Sequence, residues 1–173
     1  TRNGQVLMLG EHLVGATPLA LAAKYAEVEL MRILFKTGSE VQLPLKNGWT
    51  PLMLAAGASW RYAVWDRRDR ALAKSPAFQA QMFDEVRTLD AVQLLLEHGA
   101  DVKAVDESGN TALHHVVNKG FDRVVELLVE RGADLAAIND RGQTPLAIVM
   151  RGRSGNVNAA PKTAELLRTL GAQ

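Results

Sequence analysis

The chain has 173 residues, a net charge of +1 and 47% hydrophobic residues. This hydrophobic content suffices for a packed core, and the balanced charge gives no overall attraction to nucleic acid or to an acidic membrane. The absence of cysteine excludes disulfides and thiolate metal sites. No apolar run approaches the roughly 20 residues that a membrane span requires. A chain without cysteine fits the cytosol and export equally well, so the compartment stays open.

A three-residue pattern recurs four times, as Thr17-Pro18-Leu19, Thr50-Pro51-Leu52, Thr111-Ala112-Leu113 and Thr144-Pro145-Leu146. The first and last intervals are 33 residues long, and the middle interval of 61 residues contains one period and 28 further residues. A second short motif, which begins with glycine, recurs in the same phase at Gly38, Gly99, Gly132 and Gly171. A 33-residue period with these motifs resembles the ankyrin repeat, in which a β-turn precedes two antiparallel helices. The resemblance extends from about residue 13 to residue 173.

The resemblance implies an all-α ankyrin-repeat solenoid of four helix-turn-helix repeats with β-turn fingers. Residues 1–14 are predicted to be an N-terminal extension or the remnant of an upstream repeat. The opening residues include no initiator methionine and no signal-peptide pattern, so we expect a fragment or a processed form. The repeats are assigned to 15–44, to 45–105 with a helical insertion at about 59–86, to 106–138, and to 139–173 with a short loop insertion.

In the first repeat, Pro18 is suited to the first helical turn and Gly38 to a left-handed helix end. Apolar residues recur at helical spacing over 28–35. Ankyrin arrays need polar ends, whereas this first repeat carries the apolar residues Leu30, Ile33, Leu34 and Phe35. We therefore expect residues 1–14 or a neighbouring copy of the chain to cover them, which leaves self-association through this end possible.

The insertion in the second repeat has two parts. In its later part, a Ser-Pro cap and a helical spacing of apolar residues predict an outer helix running over about residues 76–98. Its earlier part combines aromatic residues with arginines, and we single out Trp60, Arg61, Trp65, Arg67 and Arg68. Such a segment could stack on bases and meet phosphate, but Asp66 and Asp69 interleave with the arginines, so nucleic-acid binding is disfavoured. We favour the interpretation that this segment anchors the insertion on the scaffold. The alternative is that it contacts a partner.

In the remaining repeats, Leu95, Leu127 and Leu128 are expected to lie between the helix layers. His114 follows the repeated tripeptide, where ankyrin repeats often place a histidine that bonds to neighbouring backbone, so a structural role is predicted for it. A loop over 151–161 accounts for the excess length of the fourth repeat. Long insertions of this kind resemble bacterial ankyrin proteins.

The resemblance also implies that finger residues and exposed inner-helix ends line a binding groove. Trp49 can serve a partner as an interface anchor, or it can be covered by the insertion or by an adjacent finger. The candidate partner-binding residues are Tyr25, Lys46, Asn47, Trp49, Asn110, Asn118, Lys119, Arg141 and Arg151.

The sequence shows no nucleophile-base-acid pattern and no paired carboxylates, so we expect no enzyme activity, no cofactor and no metal. The predicted function is a non-catalytic scaffold that binds a protein partner, of unknown identity, through the groove and the fingers. The alternative is an intramolecular scaffold segment of a larger bacterial protein.

Overall fold

The computed structural model describes residues 13–58, 84–117, 119–151 and 160–173. Within these ranges the chain forms eight helices and no strand, which confirms the all-α prediction. No helix of the described part is long and apolar enough to cross a bilayer. The helices are α1 (Pro18–Lys24), α2 (Val28–Lys36), α3 (Pro51–Ala56), α4 (Glu85–Glu97), α5 (Ala112–Val116), α6 (Asp122–Glu130), α7 (Pro145–Arg151) and α8 (Pro161–Thr169).

The repeated tripeptide is the start signal of the inner helices α1, α3, α5 and α7. The Oγ1 atoms of Thr17 and Thr50 accept hydrogen bonds from the backbone N–H groups three residues later, at 3.1 and 3.3 Å. Thr144 does the same for α7 at 3.2 Å. Each bond satisfies one of the N–H groups that a helix leaves unpaired at its start. The third residue of the pattern then enters the core, as the burial of Leu19 and Leu52 shows.

The helices form two layers. The inner helices pack on one another in chain order, and the outer helices α2, α4, α6 and α8 do likewise. Leucines from both layers fill the space between them. Leu95 and Leu128 are fully buried, as predicted, whereas Leu127 is only half-buried and packs against the edge of the core.

The outer helix of the second repeat starts later than the spacing predicted. Asp84 is its N-cap, with extended backbone angles of φ −79° and ψ 99°, and Asp84 Oδ1 accepts a hydrogen bond from Arg87 N at 3.1 Å. An uninterrupted helix over 76–98 is therefore wrong, because the chain leaves helical geometry at residue 84. Val86, which fits the apolar spacing, is 56% exposed. Residues 76–83 lie outside the described ranges.

We expect Leu128→Ala to destabilise the fold by about 2–5 kcal/mol, because it opens a cavity between the two helix layers. Urea unfolding followed by circular dichroism measures this change. Val86→Ala is the matched control, and its exposed site should change the unfolding free energy by about 0.5 kcal/mol or less. Equal effects of the two substitutions would contradict the layer assignment.

Candidate functional site at the finger turns

Three turns of the same geometry precede α3, α5 and α7, at residues 45–49, 106–110 and 139–143. In each turn the first residue donates its backbone N–H to the carbonyl of the fifth, at 2.9, 3.0 and 3.1 Å. The glycine at the fourth position donates to the carbonyl of the first, at 2.9, 2.9 and 2.8 Å. These turns are the fingers that the resemblance implied, and their two internal hydrogen bonds give all three the same shape.

Backbone hydrogen bonds join each finger to the preceding one. Glu107 N donates to Asn47 O at 3.2 Å, and Asp140 N donates to Ser108 O at 3.0 Å. Gly48, with φ of +77°, lies where an added Cβ would be 3.0 Å from Glu107 N. Glycine is needed there both for its left-handed backbone and for the close approach of the next finger. The fingers therefore form one continuous row.

Asp106 is the centre of a side-chain network within this row. Its Oδ1 accepts hydrogen bonds from the backbone N–H groups of Ser108 and Asn110, both at 2.9 Å. Its Oδ2 accepts from Trp49 Nε1 at 3.1 Å and from His115 Nε2 at 3.0 Å. Burial opposes ionisation of this carboxyl, but the hydrogen bond from His115 and those from the finger backbone outweigh it and lower the pKa of Asp106 to about 2.

Asn139 continues the network into the fourth repeat. Its Oδ1 accepts from the backbone N–H groups of Arg141 and Gln143, both at 3.0 Å, as Asp106 Oδ1 does in the third repeat. Its Nδ2 donates to Asn110 Oδ1 at 2.9 Å, while Asn110 Nδ2 donates to Asp106 at 3.2 Å. We call this set, which links three successive repeats, the finger network: Trp49, Asp106, Asn110, His115 and Asn139.

Trp49 is covered by the adjacent finger. Its side chain is 7% exposed, its indole N–H is bonded to Asp106, and its ring meets the edge of His115 with the ring centroids 6.3 Å apart. The prediction of an exposed Trp49 side chain is therefore wrong, whereas its part in partner binding stays a prediction. The cause is a carboxylate 57 residues away in sequence, which the repeat brings to hydrogen-bonding distance.

His114 has the predicted structural role. Its Nε2 lies 3.1 Å from the carbonyl oxygen of Gln143, which can only accept, so Nε2 donates. Its Nδ1 accepts from Thr111 N at 3.1 Å and from Thr111 Oγ1 at 2.9 Å. This neutral imidazole caps α5 and binds the next finger. Burial lowers the pKa of His114 below 6.5.

The other predicted residues fall into different environments. Lys46, Arg141 and Arg151 have exposed side chains, the first two at finger tips and the third at the end of α7. Asn47 is half-buried, and its Oδ1 accepts from Trp49 N at 3.3 Å. Its backbone carbonyl binds the next finger, and its side chain holds its own finger turn, so both contacts are internal.

Two further candidates lie at inner-helix ends. Tyr25 is the C-cap of α1, and its ring centroid lies 5.1 Å from Lys24 Nζ. Lys119 Nζ lies 5.0 Å from the centroid of Phe121, and burial lowers the pKa of Lys119 to about 8. The aliphatic end of Lys119 fills the space where a Cβ on Gly57 would lie, so it packs on the end of α3. Asn118 and the insertion residues Trp60, Arg61, Trp65, Arg67 and Arg68 lie outside the described residues.

One set of exposed residues beside the fingers was not among the predicted site residues. The residue directly before each finger is apolar and exposed, at Pro44, Val105 and Ile138. Val105 is 58% exposed and Ile138 is 65% exposed. The repeat spacing could have indicated these residues, because they occupy the same position in three successive repeats. We call Pro44, Val105 and Ile138 the apolar row.

Titratable groups do not gather into a metal centre in the described ranges. No group of three or more histidine, aspartate or glutamate side chains there is arranged to hold a metal ion. Among the residues that the structure describes, the close histidine-carboxylate contact is that of His115 with Asp106, and it belongs to the finger network.

A family model for ankyrin repeats in three copies matches residues 79–167, about half of the chain. The chain belongs to the ankyrin-repeat family. It is 32% identical over 111 residues to neurogenic locus notch homolog protein 1 of Xenopus tropicalis, and 31% identical over 133 residues to the B-cell lymphoma 3 protein homolog of Mus musculus.

The first match covers 58% of this chain and 4% of the relative, and the second covers 69% and 29%. The chain thus spans a minor part of each relative. Ankyrin repeats generally serve as protein–protein interaction modules. The bacterial style of the insertions stays a prediction.

The buried, neutral His114 should make stability depend on pH. The pKa of His114 in the folded state lies below 6.5. As the pH falls through 6.5, His114 therefore becomes protonated in the unfolded chain before it does so in the folded chain. The free energy of unfolding consequently decreases. We expect the urea midpoint of the wild type to drop more between about pH 7.5 and 5.5 than that of His114→Ala.

Alanine is the natural residue at this position in the first and fourth repeats, at Ala20 and Ala147, so the substitution suits the fold. His98→Ala, at an exposed site, serves as the control and should keep the additional loss at low pH. An identical pH dependence of the wild type and His114→Ala would exclude this role for His114.

Proposed function

We propose that the chain is a non-catalytic module that binds a protein partner along the finger edge, with the apolar row as the centre of the contact. The observation that supports this most is the repeated exposure of an apolar side chain at one register position. Single exposed apolar residues are common on proteins, but a row in equivalent positions is a feature of interaction surfaces.

The apolar row directly precedes the hydrogen-bonded finger turns. Val105 directly precedes Asp106, and Ile138 directly precedes Asn139, so these two row residues are each attached to a member of the finger network. A surface that is already ordered loses little conformational entropy when it binds. The apolar contacts can therefore contribute to affinity without first ordering the turn.

Charged finger tips border the row and vary in sign from repeat to repeat. Lys46 and Arg141 are exposed cations, while Glu107 and Asp140 are exposed anions. Exposed charges at the rim of an interface contribute little to affinity but influence association rate and partner choice. We therefore propose a partner segment with apolar side chains at its centre and charges of both signs around them.

We propose different roles for the candidate residues according to their contacts with the finger network. Lys46, Arg141 and Arg151 present exposed side chains and are proposed to contact the partner directly. Trp49, Asn47 and Asn110 are proposed to act by fixing the fingers. Tyr25, Lys119 and Asn118 remain proposed contacts at the ends of the inner helices, and the insertion residues stay a predicted second surface.

Site-specific photo-crosslinking tests this surface. A photoreactive amino acid at Val105, in the protein expressed in its own cells, should give a discrete adduct with a partner. The same amino acid at the exposed Glu126 of the outer helix α6 is the matched control and should give no such adduct. A Val105→Glu and Ile138→Glu double variant should then bind the recovered partner at least about tenfold more weakly. Equal crosslinking from both positions, or unchanged affinity of the double variant, would reject the finger edge as the binding site.

A further inference from the structure

The hydrogen bonds of the fingers set a regular distance between successive fingers. Within the second finger, Leu45 N donates to Trp49 O at 2.9 Å, and between fingers Glu107 N donates to Asn47 O at 3.2 Å. Each finger thus adds two hydrogen-bonded backbone segments to the row. Neighbouring backbones bonded in this way lie about 4.7–4.9 Å apart, so successive fingers are about 9.5 Å apart.

The fourth finger continues the row by the same step, because Asp140 N donates to Ser108 O at 3.0 Å. The inner helices beneath the fingers pack in chain order, α3 beside α5 and α5 beside α7. Packed helices lie about 8–10 Å apart, which agrees with the distance between fingers. Pro44, Val105 and Ile138 occupy equivalent positions, so they follow one another at the same interval of about 9.5 Å.

This interval determines which backbone conformation can present one side chain to each residue of the apolar row. A polyproline II segment has three residues per turn and rises about 3.1 Å per residue, so every third side chain returns to one face after about 9.3 Å. A β-strand returns to the same face after about 6.6–6.8 Å, which is too short. An α-helix does so after seven residues, or about 10.5 Å, and gains an error of about 1 Å at each finger. The polyproline II period therefore fits the row best.

Charged side chains at the finger tips add an order along the row. The residue two positions after each row residue is exposed and charged, as Lys46, Glu107 and Asp140 in chain order. Arg141 follows Asp140 and is also exposed, so the fourth tip has charges of both signs. The exposed Lys103 comes before the third row residue in the chain, on the side away from the tips. The clear contrast is therefore between the cation of the second tip and the anion of the third.

We infer that the partner contacts the finger edge through a polyproline II segment that runs along the apolar row. This segment has an apolar side chain at every third residue, an acidic side chain beside Lys46 and a basic side chain beside Glu107. The inference rests on the proposed function, because it specifies the occupant of the same edge. A polyproline II segment is largely ordered before it binds, as the hydrogen-bonded fingers are, so association orders little chain on either side.

Peptide titrations of the 15N-labelled chain, followed by NMR, test the period. The probes LPELPKLPS and LPSLPKLPE carry leucine at every third residue and place their charges in opposite orders, so that both chain directions along the row are covered. At least one of them should shift the finger amides saturably. The control LELKLPSPP has the same composition but carries leucine at every second residue, as a β-strand would present it, and should bind at least about tenfold more weakly.

Charge reversal in the chain tests the order of the charges. Lys46→Glu with Glu107→Lys reverses the contrast between the second and third tips and should weaken binding of the better probe at least about fivefold at low salt. Exchanging glutamate and lysine in that probe should restore its affinity for the variant, which a loss of folding would not allow. Arg123→Glu with Glu126→Lys reverses two exposed charges of α6, and this matched control should bind the original probe normally.

Failure of this inference can be told apart from failure of the proposed function. Finger amides that respond to neither probe, equal binding of the control LELKLPSPP, or a charge-reversed variant that the exchanged probe does not rescue would each overturn the inference. If the partner crosslinked at Val105 makes its contact through a segment without an apolar residue at every third position, the finger edge remains the binding site and the polyproline II segment is rejected.

Discussion

The row of fingers depends on the buried carboxylate of Asp106. A stacked array has no single core, so its integrity rests on the contacts between neighbouring repeats. Leucines supply the apolar part of those contacts, but apolar burial alone does not fix how one turn sits beside the next. Asp106 accepts from two backbone N–H groups of its own finger and from the indole of Trp49 in the preceding repeat. One ionised side chain therefore determines both the shape of a finger and its position beside its neighbour.

The finger network also explains why the fingers keep the same geometry although the side chains that hold them differ between repeats. In the fourth repeat Asn139 replaces the carboxylate, and its Oδ1 repeats the two backbone contacts. Its amide N–H group can donate, which a carboxylate cannot, and it binds Asn110 of the preceding finger. The second finger begins with the apolar Leu45, and there Asn47 Oδ1 holds the turn by accepting from Trp49 N. Different side chains thus satisfy the same backbone requirement.

Much of the fold could be predicted from the period, because the four tripeptides and the recurring glycines mark helix starts and ends that are local in sequence. The burial of Leu95 and Leu128 follows from the same register. The environment of Trp49 could not be predicted this way, since its partner Asp106 belongs to another repeat across a long insertion. The later start of α4 was not predicted because the apolar spacing continues through Val86, whereas the N-cap at Asp84 begins the helix there.

The candidate site was predicted only in outline. The period places residues on fingers, but it does not separate side chains that point outward from those that join fingers. Lys46 and Arg141 are exposed, while Asn47 and Asn110 are bonded internally. Val105 and Ile138 were overlooked because exposure of an apolar residue is not visible in a sequence. Their significance comes from the three-dimensional row that they form with Pro44.

A double-mutant cycle between Trp49 and Asp106 tests the central role of the network most directly. Trp49→Phe removes the indole donor and keeps an aromatic ring, and Asp106→Asn replaces the carboxylate with a neutral amide of the same size. If the carboxylate binds the two repeats together, the unfolding free energies should show a coupling of about 1 kcal/mol or more, since hydrogen bonds to charged groups are worth about 1.5–3 kcal/mol. Additivity within about 0.3–0.5 kcal/mol would contradict the account, because Trp49 and Asp106 would then stabilise their repeats independently.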